Sequence, residues 1–230
     1  MNAPLIGITA DNRDNTADSG QYEIATAYAN AVADAGGVPV ILPHQPDLAE
    51  DYVQRMAGLV LTGGVDPDTE SFGESLHPRA RPMDPTRQAF ELALIRAAHQ
   101  RDDRPVLGVC LGMQLMALDA GGRLDQYLPD TLANPGHHAD DTRHGLVPGH
   151  RLPTWWPEKT GEVVSSHQQA VADPGELNVI ARAADDVIEA VNDPDHPFYV
   201  GVQWHPERGG EGPVNRGLFR ALVNAARSTS

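Results

Sequence analysis

Short apolar segments alternate with amphipathic helical segments through the first half of the chain, and this alternation constrains the fold more than any other feature. The predicted strands lie at residues 4–9, 38–42, 58–62 and 105–109, and the predicted helices at residues 22–35, 48–56, 84–100 and 113–120. Continuous apolar strands separated by helices indicate a parallel sheet that is buried on both faces. We therefore predict an α/β fold with a doubly wound, mostly parallel sheet and helices on both faces.

The second half of the chain has a different pattern. Four predicted strands follow one another with short turns, at residues 162–165, 178–183, 187–192 and 198–203, and a last helix is predicted from Pro213. Strands joined by short turns indicate antiparallel additions to the sheet. No internal repeat, low-complexity segment or linker divides the sequence, so we expect one domain over residues 1–230.

Composition excludes several classes of partner. The formal net charge is −15, and such an acidic surface repels nucleic-acid phosphates and anionic lipids. No apolar run approaches the roughly 20 residues that span a bilayer, and the N-terminus does not resemble a signal peptide. The single cysteine permits no intramolecular disulfide. We expect a cytoplasmic protein with no nucleic-acid or membrane partner.

That single cysteine, Cys110, follows a predicted strand and precedes a predicted helix, with Gly108 and Gly112 on either side. This is the cysteine form of a nucleophile elbow, in which small neighbours let a substrate approach. The positive end of the helix dipole favours the reactive thiolate, and the amide of Leu111 would face a developing oxyanion. The alternative interpretation is a small buried core cysteine.

A histidine and an acid follow the predicted strand at residues 198–203. In extended backbone, side chains two residues apart project to the same side, so Glu207 can orient the ring of His205. A surface pair at the end of a strand is the alternative. Cys110 also follows the carboxyl end of a strand, which is where open α/β sheets place their sites. We therefore predict a Cys110, His205 and Glu207 triad.

The two motifs at residues 108–114 and 201–207 resemble those of the class I glutamine amidotransferase fold, which is flavodoxin-like. More narrowly, the chain resembles the γ-glutamyl-γ-aminobutyrate hydrolase family, with support from residues 61–67, 87–93 and 165–171. The resemblance implies hydrolysis of a γ-glutamyl amide through a γ-glutamyl thioester, releasing glutamate and the amine, without a cofactor. It also implies that Gly64 supplies the second oxyanion donor.

The resemblance further implies a set of substrate contacts. Gln114 is similar to a residue that holds the γ-glutamyl group, although it could also be a polar residue on the solvent face of a helix. Ser166 and His167 lie in the segment where relatives often carry Asn-Ser-x-His-His-Gln. Here Val164 and Gln168 stand at the Asn and second His positions, which favours backbone contacts with the substrate over side-chain contacts. A structural role for His167 remains open.

Four histidines, His137, His138, His144 and His150, lie close together in the sequence. Their spacing is irregular and no carboxylate completes a known motif, so we expect no metal and interpret the segment as a loop beside the site. This loop, at residues 129–160, and another at residues 66–84 are long for a compact domain, which is typical of binding loops.

Three functions are compared. The first is a stand-alone hydrolase whose partner is a small-molecule γ-glutamyl substrate. The second is a glutaminase subunit that supplies ammonia to a separate synthase partner, because Leu111 stands where many hydrolase relatives have arginine and where glutaminase domains often have leucine. The third is an inactive binding module, against which the intact triad argues. The sequence leaves open the leaving amine and whether the chain forms a homodimer.

Overall fold

Five parallel strands lie at the centre of the fold. The computed structural model describes residues 2–13, 20–101 and 103–228. Its strands are β1 (Leu5–Thr9), β2 (Asp11–Arg13), β3 (Gln21–Glu23), β4 (Val38–Leu42), β5 (Gly58–Leu61), β6 (Val106–Val109), β7 (Arg123–Asp125), β8 (Thr142–Gly145), β9 (Val147–Pro148), β10 (Glu162–Ser165), β11 (Ala170–Asp173), β12 (Asn178–Arg182), β13 (Ile188–Asn192) and β14 (Tyr199–Val202). Its α-helices are α1 (Thr26–Asp34), α2 (Ala49–Arg55), α3 (Pro85–His99), α4 (Leu111–Asp119) and α5 (Arg216–Ser228).

The main sheet has the order β4-β1-β5-β6-β14-β13-β12-β9. The strands from β4 to β14 are parallel, and β13, β12 and β9 are antiparallel additions at one edge. The parallel strands follow the flavodoxin-like order, in which sites form at the carboxyl ends of the strands. The predicted fold class is confirmed.

Helices cover both faces of this sheet. On one face α2, α3 and α4 bury Val53, Phe90 and Leu115 against the strands. On the other face α1 and α5 bury Val32 and Leu222. Because both faces are covered, the central strands are continuously apolar, as the sequence predicted. Within the described residues, none of the helices is long and apolar enough to cross a membrane.

Several boundaries differ from the sequence prediction. The helix predicted at residues 22–35 begins only at Thr26, because β3 pairs with β2 instead of continuing the helix. Helix α4 begins at Leu111, two residues before the predicted start. The final helix begins at Arg216, after a turn that contains Pro213.

Two small hairpin-like pairs were not predicted, and both lie beside the site. Strand β7 pairs with β11, and β8 pairs with β10. Strand β10 was predicted at residues 162–165, whereas β7, β8 and β11 lie in segments for which no strand was predicted. The 3-10 turns at Leu128–Asp130 and Pro135–His138 connect these segments. These pairs hold the loop at residues 129–160 against the carboxyl ends of the parallel strands.

Candidate active site

Cys110 lies in a sharp turn between β6 and α4. Its backbone has φ 51° and ψ −103°, a conformation that side-chain-bearing residues rarely adopt. The turn is held because the amide of Cys110 donates to the carbonyl of Val202 at 2.8 Å and its carbonyl accepts from the amide of Gln114 at 3.1 Å. A Cβ at Gly112 would lie 2.5 Å from the carbonyl oxygen of Leu61, so only glycine fits there. The predicted elbow is present.

His205 and Glu207 are both buried beside this turn. The Nδ1 atom of His205 lies 2.8 Å from Oε1 of Glu207, and the backbone amide of His205 donates to the carbonyl of Val164. Burial by itself lowers the pKa of His205. Hydrogen bonds to Cys110 and Glu207, together with their negative charges, outweigh that effect and raise the pKa to about 9. The structure therefore brings the three predicted triad residues together; their catalytic roles stay a prediction.

A buried amide pair lies behind the thiol. The Nε2 atom of Gln203 lies 3.5 Å from Sγ of Cys110, and its Oε1 accepts from Nε2 of Gln114 at 3.3 Å. The same Nε2 of Gln114 also donates to the carbonyl of Gln169. Gln114 is 4% exposed, so the solvent-facing alternative is wrong. Gln203 was missed, because its only sequence signal is its place at the end of an apolar strand.

The two residues predicted to supply the oxyanion donors, Gly64 and Leu111, lie next to each other in the structure. A Cβ at Gly64 would lie 2.8 Å from Cδ2 of Leu111. The amide of Gly63 donates to the hydroxyl of Tyr28 at 3.1 Å, whereas the amides of Gly64 and Leu111 have no hydrogen-bond acceptor in the part of the chain that the structure describes. The side chain of Leu111 is buried in the core, so only its backbone is available to a substrate.

Arg87 stabilises the segment at residues 62–64, which contains the predicted oxyanion donor Gly64. Its Nη2 donates to the carbonyl of Gly63 at 3.0 Å and to Oγ1 of Thr62 at 3.2 Å, and its Nε donates to Glu91 at 2.7 Å. Burial disfavours the charged guanidinium, but Glu91 and Asp11 raise the pKa of Arg87, so it stays protonated. The spacing of Arg87 and Glu91, four residues apart on one helix face, was the available sequence signal for this pair.

Two cavities meet at Cys110, and Gly64 and Ser166 border both. The first cavity, of about 230 Å³, lies on the side of Gln114 and is bordered by residues from both long loops. Its charged side chains are those of Asp66, Arg79, Arg81 and Asp140, and His167 also borders it. The expectation that these loops line a binding site therefore agrees with the geometry.

The second cavity, of about 470 Å³, lies on the side of His205. Its lining includes Tyr28 from α1, Arg208 beyond the triad, and residues of the β2–β3 hairpin and the segment that follows it, namely Asp11, Asn12, Glu23, Ile24 and Ala25. Arg208 lies 3.3 Å from Glu207 and 2.8 Å from Asp141, which positions its charge at the rim. The thiol thus has a separate space on each side.

Both ring nitrogens of His167 face atoms of the protein. Its Nδ1 lies 2.8 Å from the carbonyl of Gln169, and its Nε2 lies 3.6 Å from Oε1 of Glu189. The structural interpretation of this side chain is therefore favoured, although the residue also borders the first cavity. Ser166 borders both cavities, and its predicted contact with substrate stays a prediction.

The four histidines at residues 137, 138, 144 and 150 fall into two groups that differ in exposure. His137 and His150 are exposed. His138 and His144 instead turn inward and meet Glu189, with their donor atoms within 4.8 Å of one another. No sequence pattern joins Glu189, from β13, to these histidines, because the three residues meet only through the packing of β8, β13 and a 3-10 turn.

Comparison with known proteins agrees with this geometry. Residues 4–207 match the Peptidase C26 family. A candidate glutamine amidotransferase of Mycobacterium tuberculosis is 38% identical over 97% of this chain and 75% of its own length. The γ-glutamyl-γ-aminobutyrate hydrolase of Escherichia coli K12 is 32% identical over 99% of this chain and 95% of its own length. A solved structure of a candidate GMP synthase subunit from Thermoplasma acidophilum has the same fold, with a TM-score of 0.67 at 18% identity over 99% of this chain and 96% of its own.

Proposed function

The chain belongs to the Peptidase C26 family of class I glutamine amidotransferase-like hydrolases, and from that premise we propose that it is a stand-alone cysteine hydrolase of γ-glutamyl amines. The observation that carries this proposal is the pair of cavities that meet at Cys110. An amide that is cleaved at the thiol has an acyl half and an amine half, and each half needs its own space.

The first cavity suits the acyl half. A γ-glutamyl group ends in an α-carboxylate and an α-ammonium, so it needs partners of both charges. Arg79 and Arg81 offer cations, and Asp66 and Asp140 offer anions, around one small space. Such opposite charges can orient an amino-acid end group through charge-assisted hydrogen bonds.

The chemistry proposed for the triad is acyl transfer. The thiolate of Cys110 attacks the γ-carbonyl carbon, a C–S bond forms, and the carbonyl oxygen becomes an oxyanion facing the amides of Gly64 and Leu111. The C–N bond then breaks as His205 gives its proton to the leaving amine, which leaves a γ-glutamyl thioester. His205 next takes a proton from water, the hydroxide displaces sulfur, and glutamate leaves. Glu207 orients the imidazole in both steps.

The second cavity favours an amine larger than ammonia. His205 must be next to the leaving nitrogen, and this cavity lies on the side of His205. Ammonia occupies about one water volume, roughly 30 Å³, so a space of about 470 Å³ far exceeds what glutamine would require. The same space accepts a chain of several carbon atoms, such as γ-aminobutyrate or a related amine.

A glutaminase subunit is the second candidate. Leu111 favours it, and so does the candidate amidotransferase from Mycobacterium tuberculosis. Because the side chain of Leu111 lies in the core, however, it does not set the charge of either cavity. A synthase partner would have to cover the second cavity and convert it into a route for ammonia.

The test is hydrolysis by the purified chain, alone, of a panel of γ-glutamyl amines and of glutamine. We expect kcat/KM for at least one amine to exceed that for glutamine by about 10-fold or more, a margin that corresponds to a few buried methylene groups. Inactivity on every γ-glutamyl amine, together with glutamine hydrolysis that starts only with a synthase, would establish the second candidate.

A substitution in the second cavity makes this test sharper. Ala25 borders the cavity and is exposed, so a larger side chain fits without disturbing the core. Ala25→Trp should reduce kcat/KM for the longer amines by about 10-fold and leave glutamine hydrolysis unchanged, because only the amine half loses space. Ala25→Ser is the matched control and should change neither. Equal losses for all substrates would refute the assignment of the cavity.

A further inference from the structure

A buried carboxylate, outside the triad, has three histidines around one of its oxygen atoms. Oε1 of Glu189 lies 3.2 Å from Nδ1 of His138, 3.5 Å from Nε2 of His144 and 3.6 Å from Nε2 of His167. Glu189 is fully buried, and neither of its oxygen atoms has a hydrogen bond of good geometry within the described residues. The three facing nitrogens are in the same situation.

In each of the three histidine rings, the nitrogen that faces away from Glu189, here called the outer nitrogen, has a hydrogen-bond partner of its own. The inner nitrogen, which faces Glu189, therefore remains available to a ligand. Nε2 of His138 lies 3.0 Å from a carboxylate oxygen of Asp185, Nδ1 of His144 lies 3.0 Å from the carbonyl of Gly145, and Nδ1 of His167 lies 2.8 Å from the carbonyl of Gln169. These partners only accept hydrogen bonds, so each outer nitrogen carries the proton. In the neutral imidazole the inner nitrogen then has a lone pair, and it faces the carboxylate.

Three lone pairs and a carboxylate that point at one another repel unless a cation lies among them. Histidines whose outer nitrogen donates to a carboxylate or a carbonyl are the usual arrangement around a bound metal ion. Ligands about 2.1 Å from a tetrahedral zinc ion are about 3.4 Å apart. The distances from Oε1 of Glu189 to the facing nitrogens of His138 and His144, 3.2 and 3.5 Å, match that value.

We propose that His138, His144 and Glu189 bind a zinc ion. Their donor atoms lie within 4.8 Å of one another, and His167 approaches the same carboxylate from outside this group. A cavity of about 250 Å³, bordered by His138 and His144, gives the ion a path from the surface. The proposal departs from the metal-free expectation drawn from the sequence, and it does not depend on the proposed hydrolase activity.

The ion would have a positioning role, because its ligands adjoin the walls of the first cavity. Ala139 and Asp140, directly after His138, border that cavity, as do Ser166 and Gln168 on either side of His167. The two segments are already joined where the amide of His167 donates to the carbonyl of His138 at 2.6 Å. Because His167 also approaches Glu189, a metal ion on His138 and Glu189 would hold both segments in one arrangement.

Protons offer a competing explanation. Burial raises the pKa of Glu189, but the close approach of His138 and His167 outweighs that effect and holds the pKa at about 2. Burial lowers the pKa of His138, and its contacts with Glu189 and Asp185 raise it above the usual value. A network of charged histidines without a metal would satisfy the same carboxylate, so the experiment must measure the metal itself.

The experiment uses the full chain without a polyhistidine tag, purified from zinc-supplemented medium, with metal content measured by elemental mass spectrometry. We expect about one zinc per chain. After removal by a chelator, returning free zinc to about 100 times Kd should raise the Tm by roughly 5–10 °C, whereas magnesium should have no effect.

Variants locate the site. Glu189→Gln and His144→Ala should lose the bound zinc and the zinc-dependent rise in Tm. His137→Ala and His150→Ala are matched controls, since both side chains are exposed and lie in the same region. If either inner variant fails to fold, the titration of the metal-free wild-type chain decides alone. A wild-type chain that takes up no zinc and shows no rise in Tm overturns the proposal, as does equal loss of zinc in the controls.

Discussion

Glu207→Gln tests how the orienting acid acts on His205. The pKa of His205 is about 9, compared with an ordinary value of 6.5, and this difference corresponds to about 3 kcal/mol in favour of the imidazolium. Cys110 and Glu207 both raise this pKa, so removing the charge of Glu207 should lower it toward the ordinary value and weaken the imidazolium as an acid. Loss of an orienting acid of this kind should lower kcat by about 10-fold. We expect a loss of at least that size, because glutamine also fails to fix the tautomer.

The assay is the pH dependence of kcat/KM, which reports the acid and base of the free enzyme. In the wild-type chain the alkaline limb should lie near pH 9, because the imidazolium must be present to protonate the leaving amine. In Glu207→Gln the midpoint of the alkaline limb should move to lower pH, toward the ordinary pKa of histidine. The folded-state pKa is raised, so this stabilisation of the fold is fully present below pH 6.5 and is lost as the pH rises through about 9. The variant should therefore lose less stability than wild type over that interval.

Glu211→Gln is the matched control, because Glu211 is exposed and pairs only with Arg220 among the described residues. It should leave both the rate and the pH profile unchanged. His205→Ala should cost more activity than Glu207→Gln, since it removes the base itself. An unchanged alkaline limb and a kcat within a factor of about two of wild type in Glu207→Gln would refute the assignment of Glu207.

Three further substitutions test the supporting contacts. Gln203→Leu removes the amide that approaches the nucleophile, and kcat should fall by about 10-fold in steady-state assays with little change in fold. Gly64→Ala places a methyl group 2.5 Å from Nη1 of Arg87, so either the guanidinium that holds the oxyanion loop or the loop itself must shift, and kcat should fall by about 100-fold. Its control is Gly136→Ala, whose added methyl group would meet no atom within 4 Å and which should leave kcat unchanged. Arg87→Met leaves the carboxylate of Glu91 buried without its cation and should lower the free energy of unfolding by about 3–5 kcal/mol in denaturant titration.

The sequence predicted the sheet and the elbow well, because both depend on local patterns. Continuous apolar strands are buried on two faces, and the elbow is a short motif in which a glycine lies two residues before and two residues after Cys110. The start of α1 was predicted four residues too early for the opposite reason. Residues 22–25 fit a helical period, but β3 pairs with β2, and pairing between distant segments overrides local preference.

Contacts between distant elements account for what the sequence did not predict. Tyr28 lies in the predicted helix, and its buried hydroxyl accepts a hydrogen bond from the amide of Gly63, 35 residues away. Gln203 reaches the thiol across 93 residues of sequence. The meeting of His138 with Glu189 joins a predicted strand to a 3-10 turn that carries no periodic signal. Apolar periodicity reports which side of an element is buried, but it does not report which polar atoms meet there.

The central claim is that Cys110 carries the γ-glutamyl group during turnover, and the most direct measurement is the intact mass of the acid-quenched enzyme during hydrolysis of a γ-glutamyl amine. Because the chain has one cysteine, a thioester adduct can lie only there. We predict a γ-glutamyl adduct in a peptide that contains Cys110, and neither adduct nor turnover in Cys110→Ala, with the fold retained by circular dichroism. Near-normal hydrolysis by Cys110→Ala would contradict this claim.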